Sequence, residues 1–411
     1  MLSRNLSIID KKYFYIEAAF IGFLLLLAER LKLVQISPED FCQYYYAAKH
    51  FILNVPVYSA VPCARLIYPA QPPFATLIFL PFVVFPFKLA SYFWGIISFS
   101  LYILAIVLLL KKTGWLSFKS VSLVLLFSIV WPTLILAQLY QNIGELLLFL
   151  IALSWFLKDK KYSYISGVLL GIASLLKIWP VLLLFGELVI GKKRDAAFGF
   201  LTVLFGLAIS LIVLGANSYK TYLSVIPSYE EKMWYGHYGN LSIIGMLNKL
   251  FTFNGFSKEI KPIIANLPSS TVLNAGYFLS IITAFIVFIF MYWYKKRYKN
   301  AYLYKDVLIE GLLLTLALII FPLSWDWNLI FLLLPLSVIF IKRPRLSNQT
   351  KLWNLPLFLA IIVMVNPFII FLGYLIEIKL VAYVFISMYL VVFLIYQAFF
   401  ALRLAGTAQK N

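Results

Sequence analysis

Charged residues are scarce in this sequence, 12% of 411 positions against 63% hydrophobic, whereas water-soluble domains carry roughly 25%. A water-facing surface cannot be built from so few charges, and the mean hydropathy of +0.93 agrees. Acidic residues are the scarcer kind, 16 against 35 basic ones, leaving a net charge of +19. A basic excess invites a nucleic-acid partner, but that footprint needs a basic face on a folded polar domain, and none is present. The bases read instead as signals that orient a membrane protein. With two histidines and two cysteines in the whole chain, no His/Cys metal set is available. No period of 20 to 50 residues stands out, so there is no visible internal repeat of the transporter kind.

What fills the chain is apolar runs, among them 18–27, 101–110, 121–137 and 381–401, separated by short Lys/Arg clusters. That pattern is an all-α polytopic helix bundle forming one domain over residues 1–411. A closed barrel would show alternating polarity in segments of about 10 residues, which these runs lack. The first run is followed by no small-residue cleavage site, so it reads as a retained anchor helix.

Seven basic stretches (1–13, 111–119, 158–161, 191–195, 294–305, 342–351 and the tail after 401) hold 23 of the 35 Lys and Arg residues. The positive-inside rule makes them cytoplasmic. Two helices out and back between neighbouring stretches give about 12 spans, in the range 11–13, with both termini inside. Residues 73–87 carry Pro81 and Pro86 and fit either a kinked span or a re-entrant helix.

This parity puts the polar groups near helix ends on one face, the outer one. Asp40 falls in a first outer loop of about 34–73, Gln141, Asn142 and Glu145 at the second turn, and Lys177 at the third. His237, Asn240 and Ser242 fall in a long outer loop of about 216–270, and Ser324, Asp326 and Asn328 at the fifth turn. About 16 residues separate Lys161 from Lys177; at 1.5 Å per residue they rise roughly 24 Å, which carries the ammonium to the outer interface.

The first outer loop reads Ser37-Pro38-Glu39-Asp40-Phe41-Cys42-Gln43-Tyr44-Tyr45-Tyr46-Ala47-Ala48, then Pro56-Val57-Tyr58, then Tyr68-Pro69-Ala70-Gln71-Pro72-Pro73. Pro38 followed by two acids suits a helix start, and Tyr44, Ala47 and Ala48 share a face, as in an amphipathic helix lying in the interface. These residues resemble the polyprenol-phosphate-mannose-dependent mannosyltransferases of glycosyltransferase family 87, within the GT-C superfold. That family's pattern is Asp-Phe, two residues, Tyr-Tyr, one residue, Ala-Ala, then Pro-x-Tyr and Tyr-Pro-Pro. Asp40, Phe41, Tyr44, Tyr45, Ala47, Ala48, Tyr58 and, after an insertion, Tyr68, Pro72 and Pro73 match it. Gln141-Asn142 stands where the family has Gly-Gln-Asn, with Tyr140 in place of Gly. Gly171-Ile172-Ala173 leading to Lys177-Ile178-Trp179-Pro180 is similar to its Gly-x-Ala and Lys-Pro-x-Pro turn, minus the first Pro. Asn240-Leu241-Ser242 resembles its Asn-x-Ser and Ser324-Trp325 its Ser-Trp, although Trp327 replaces the His that often follows.

The resemblance implies transfer of a hexose, mannose foremost, from a polyprenyl-phosphate donor to the hydroxyl of a glycan, glycolipid or lipid acceptor on the outer face, with inversion. That reaction needs a carboxylate to take the acceptor's proton and a cation to hold the departing phosphate. Asp40 is the expected base, with the adjacent Glu39 as competitor. Lys177 is the first choice for the phosphate, with Arg65, Lys49 and His237 as further candidates. Tyr44, Tyr45, Tyr68, Gln141, Asn142, Asn240 and Ser324 complete the expected substrate-binding set. The same residues have plainer readings: a helix cap for Asp40, a snorkelling Lys177, inter-helix hydrogen bonding for Glu145, and an interfacial belt for the tyrosines and tryptophans. No Asp-x-Asp occurs, which favours a lipid donor used without metal or cofactor.

Cys42 and Cys63 both fall in the first outer loop, on the side of a bacterial plasma membrane where disulfides form; a bridge would close about 22 residues and contribute roughly 3 kcal/mol. A transporter or flippase of lipid-linked sugars would need polar groups through the whole bundle depth. A glycan polymerase or ligase would carry an outer loop rich in Arg and His. Neither feature is visible here.

Overall fold

The computed structural model describes residues 38–63, 68–117, 132–158, 163–252, 262–298, 305–342 and 376–408, with a few positions between 120 and 128. The expected anchor helix at 18–27 and the candidate Arg65 lie outside the described residues. Every described element is helical. The one extended pairing is an isolated bridge between Asn240 and Trp325.

In chain order the helices are α1 (Glu39–Ile52), α2 (Pro73–Phe79), α3 (Phe87–Thr113), α4 (Pro132–Tyr140), α5 (Gly144–Leu157), α6 (Tyr164–Leu176) and α7 (Val181–Ile190). They continue with α8 (Lys193–Leu214), α9 (Ala216–Trp234), α10 (Ile243–Phe251), α11 (Ser269–Arg297), α12 (Lys305–Ile320), α13 (Leu333–Lys342) and α14 (Ile376–Ala408). Short 3-10 turns follow α2 (Leu80–Val84) and precede α13 (Asp326–Leu332).

Among the described residues four helices are long and apolar enough to cross a bilayer: α3, α8, α11 and residues 383–402 of α14. The chain is an all-helical integral membrane protein. Among the described residues five further apolar helices run 10–17 residues, shorter than the ~20 residues that a 30 Å core asks for. Polar and Pro-containing breaks cut them. α4 and α5 meet at a bend of 118°, where Gln141 takes φ +53°. This left-handed backbone costs a non-glycine residue of order 1 kcal/mol or more. Ser91 of α3 donates to Gln141 Oε1 (2.9 Å), and Trp94 Nε1 donates to its carbonyl (3.0 Å), fixing the turn from outside. Pro73–Val84, the segment that fits a kinked span or a re-entrant helix, covers 12 residues; with α-helical and 3-10 rises it climbs roughly 20 Å.

Glycines set the closest helix pair. A Cβ at Gly167 would stand 1.8 Å from the Asp195 carbonyl, and one at Gly171 2.6 Å from that of Gly199. Small residues let α6 and α8 touch backbone to backbone, the way membrane helices gain packing without a hydrophobic driving force. Lys158, from a basic stretch expected to be cytoplasmic, is buried just past α5. Its ammonium pairs with Glu187 of α7 and Glu310 of α12.

Candidate active site

Helical spacing divides α1 into two faces. Phe41 is fully buried among the rings of Phe79, Phe82, Phe87 and Trp94, with centroids at 5.9–6.5 Å. Tyr45, four residues on, donates its hydroxyl to the Phe85 carbonyl at 2.9 Å. This aromatic anchoring leaves Glu39, Asp40, Gln43 and Tyr44 on the other face, toward a cavity of about 390 Å³. Gln43 Oε1 accepts from the Ala70 N–H (3.0 Å) and so ties α1 to the approach to α2. A Cys42–Cys63 disulfide adds a covalent tie between α1 and the same loop.

Asp40 begins a helix, where the macrodipole favours an anion, yet burial dominates and pushes its carboxyl up to about 7. Lys177 opposes that rise through space, and the like charge of Glu39 adds to it. Lys177 reaches the cavity because α6 stops at Leu176. Its backbone is extended (φ −149°, ψ 137°) and its N–H still donates to Ala173. The Ile178-Trp179-Pro180 turn then starts α7. Trp179 is buried edge-on against Phe331 at 4.7 Å, which fixes that turn.

The far wall is aromatic. Trp325 and Trp327 stack at 4.9 Å with 10° between their planes. Tyr140 lies 4.8 Å from Trp327, and His237 5.0 Å from Trp325. All four line the cavity together with Trp234 and Tyr222. Behind the wall, Asn240 is a clasp. Its Nδ2 donates to the Pro322 and Tyr235 carbonyls (2.7 and 3.2 Å), and its Oδ1 accepts from the N–H groups of Ser242 and Ser324 (3.1 and 3.2 Å). Ser242 Oγ donates to Pro322 and accepts from Gly245, capping α10. The Asn-x-Ser and Ser-Trp motifs, more than 80 residues apart, are thus two halves of one joint.

A second cavity, about 510 Å³ and almost wholly apolar, runs beside the first between α2, α6, α8 and α9. Pro72, Ile178 and Tyr222 line both. Leu207, Leu211 and Leu223 line the second cavity and are exposed on the outside of the bundle, so it is a groove open to the surroundings of the protein.

Of the expected site residues, Asp40, Tyr44, Lys177 and His237 line the cavity, as does the competitor Glu39. Tyr45, Gln141, Asn142, Asn240 and Ser324 do not; they are buried and bonded in the anchor, turn and clasp just described, with Asn142 Oδ1 accepting from Gly144 (2.5 Å). Tyr68 packs in a small cluster with Ala47, Val57 and Tyr58. Lys49 lies over the Tyr46 ring at 5.7 Å, away from the cavity. Lining residues not anticipated include Gln43, Gln71, Tyr140, Trp179, Tyr222, Trp234, Trp325 and Trp327; a membrane protein's interfacial tryptophans give no sign of which few turn inward. Among the described residues no group of three or more His, Cys, Asp or Glu could hold a metal.

A membrane helix bundle with charges of both signs gathered in a cavity beside an apolar groove is the outline of an enzyme working on an amphiphile. Residues 70–322 match the model described as glycosyltransferase family 87, well over half of the chain, and the protein belongs to that family. It is therefore an integral membrane glycosyltransferase. An alpha-(1->3)-arabinofuranosyltransferase of Corynebacterium glutamicum is 30% identical over 213 residues, 48% of this chain and 49% of that protein. The chain thus matches about half the length of this curated relative. The family match begins after α1, so Asp40 lies outside the matched residues.

Proposed function

We propose that the protein transfers a glycosyl unit from a polyprenyl-phosphate sugar to an acceptor hydroxyl, inverting the anomeric centre, with Asp40 as base and Lys177 as the phosphate's counter-charge. The observation that carries this reading is that the two cavities adjoin one another. Asp40 and Lys177 line the first, which shares Pro72, Ile178 and Tyr222 with the apolar groove. A sugar phosphate suits the first compartment and an isoprenoid chain the second. A nucleotide-activated donor has no use for the groove.

In the reaction the acceptor oxygen attacks the anomeric carbon while its proton passes to the Asp40 carboxylate. The bond between that carbon and the phosphate oxygen breaks, and polyprenyl phosphate leaves as an anion beside the Lys177 ammonium. An apparent pKa of about 7 suits a base at neutral pH, since catalysis is best when the two match. The phosphate needs no acid because it departs already charged. Tyr44, stacked on Phe79 at 4.7 Å and lining the same cavity, borders the reacting groups.

The site lies on the non-cytoplasmic face of a bacterial plasma membrane, with both termini inside and about 12 crossings, several of them by helices shorter than the bilayer. Mannose is the first sugar to test. A pentofuranose is the second reading, favoured by the relative's arabinofuranosyl activity. The test is transfer by purified protein from polyprenyl-phosphate-mannose and polyprenyl-phosphate-arabinofuranose, comparing wild type with Asp40→Asn and Glu39→Gln. Loss in Asp40→Asn alone is expected. Undiminished turnover in Asp40→Asn removes the mechanism, and loss confined to Glu39→Gln moves the base by one residue. Activity is expected to persist in chelator.

A further inference from the structure

The end of the bundle away from the cavity gathers positive charge that its own acids do not balance. α7 starts just after the cavity residue Trp179 and ends at Ile190, roughly 15 Å further on for a helix of its length. Gly191 then takes φ +88° and, with Lys192, turns the chain into α8. The ammonium of Lys295, in the last turn of α11, occupies the room that Gly191 leaves: a Cβ there would stand 2.9 Å from its Nζ. Met291, one turn earlier, lies 3.6 Å from the corresponding point on Gly186. The two helices therefore run the same way and finish together. Lys192 and Lys193 meet Lys295 from a distant stretch of sequence, and Lys296 and Arg297 follow directly.

Local rules explain only part of this cluster. A helix C-terminus favours cations, which accounts for the bases of α11. Lys193 and Arg194 open α8, where the macrodipole favours anions instead. Arg194 is engaged with the rings of Tyr164 and Phe198, at 5.1 and 5.9 Å. The neighbouring acids are engaged as well: Glu187 and Glu310 hold Lys158, and the buried Asp195 accepts from the Ser163 hydroxyl at 3.1 Å. Among the described residues Lys193, Lys295, Lys296 and Arg297 make no ion pair, although Lys295 is half-buried. The sidedness of membrane proteins asks for basic loops. It does not ask that bases from two helices converge on one glycine.

We propose that this cluster binds the headgroup of an acidic phospholipid, with the phosphate between the Gly191 turn and the end of α11. Both α8 and α11 are long and apolar enough to cross a bilayer. α7 packs against both of them and covers only about half of a 30 Å core. Its Phe185 and Leu188 are 46% and 41% exposed, an apolar floor on which an acyl chain lies beneath the phosphate. Tyr292 and Trp293 are exposed beside Lys295, at the level where such rings meet headgroups. Basic pockets between membrane helices attract anionic headgroups in this way. A soluble phosphate would find the charges but have no use for the floor. The site stands a helix length from Asp40 and Lys177 and is independent of the catalytic reading.

The test is native mass spectrometry of the full chain released from nanodiscs of mixed phosphatidylcholine and phosphatidylglycerol, with thermal unfolding followed in the same nanodiscs. Wild type is expected to retain phosphatidylglycerol in preference to phosphatidylcholine. Lys192→Gln/Lys295→Gln should lower that preference at least about fivefold, the scale of one Lys beside anionic lipid, and Lys192→Arg/Lys295→Arg should keep it. Lys111→Gln/Lys112→Gln is the control. It removes the same charge at the same end, where Lys111 lies 5.4 Å over Phe156 at the close of α5, and should leave the preference intact. An equal loss in the control means a general attraction of the basic end to anionic membranes and overturns the site. A Gln pair that folds and keeps the preference overturns it too. Should that pair unfold early in phosphatidylcholine alone, Lys193→Gln/Lys296→Gln, at exposed positions, is read by the same two outcomes. Inorganic phosphate that displaces the bound phosphatidylglycerol, or protects wild type from unfolding equally well, overturns the assignment to a lipid.

Discussion

Two of this bundle's groups of charges are handled in opposite ways. Lys158, Glu187 and Glu310 meet one another with side chains at most 2% exposed. Glu39 is buried and Asp40 and Lys177 are half-buried, and all three line a cavity of about 390 Å³. In the first group each charge is spent on its neighbours, the arrangement that locks helices together. In the second, the helix break at Lys177 and the aromatic anchoring of α1 hold the charges around a space that a third party can enter. The residue types are the same. What separates structure from chemistry is whether packing closes over them or is kept away.

The largest effects should come from crossing that line in both directions. Asp40→Asn is expected to lower transfer by about 10³-fold, in the range of a lost general base, with unfolding temperature unchanged. Lys158→Met should do the reverse: about 3–5 kcal/mol of stability is lost when one partner of a buried pair is removed, read by thermal unfolding in detergent. If Lys158→Met unfolds like wild type and Asp40→Asn unfolds early, the contrast is misdrawn. Cys42→Ser comes next. Releasing a closed loop of 21 residues' separation costs roughly 3 kcal/mol in the entropic account, and it frees α1, so both stability and transfer should fall, with reductant acting on wild type in the same direction.

The smallest effect sharpens the picture of the open group. With a base whose carboxyl titrates at about 7, kcat/KM rises with pH through about 7 and levels off above it. Glu39 raises that value and Lys177 lowers it. Glu39→Gln should therefore move the rising limb to lower pH, and Lys177→Met should move the residual activity's limb to higher pH. A limb that moves in neither variant would separate Asp40 from the observed titration.

Much of this was legible in the sequence, and the parts that were not share a cause. Apolar runs and basic clusters gave an all-helical membrane protein, and the Asp-Phe motif and the Lys-Ile-Trp-Pro turn pointed to two charges that do line one cavity. Gln141, Asn142 and Asn240 also stood at outer helix ends, but a sharp turn must satisfy its own backbone groups. A polar side chain that closes a turn looks, in one dimension, like one that greets a substrate. Trp325 and Trp327 failed the other way, since interfacial tryptophans are common and only tertiary packing says which face inward. Helix lengths were blurred for a third reason: hydropathy marks the apolar run, whereas breaks such as the one at Gln141 set how much of it is one rod.

The exposed rim of the apolar groove, at Leu207, Leu211 and Leu223, has a kinetic consequence. A donor that slides in sideways never crosses into water, so its supply is counted per area of bilayer. Diluting the membrane with inert lipid would then slow the enzyme even with the total amount of donor held fixed, and spent carrier would drift away through the same opening into the plane it came from.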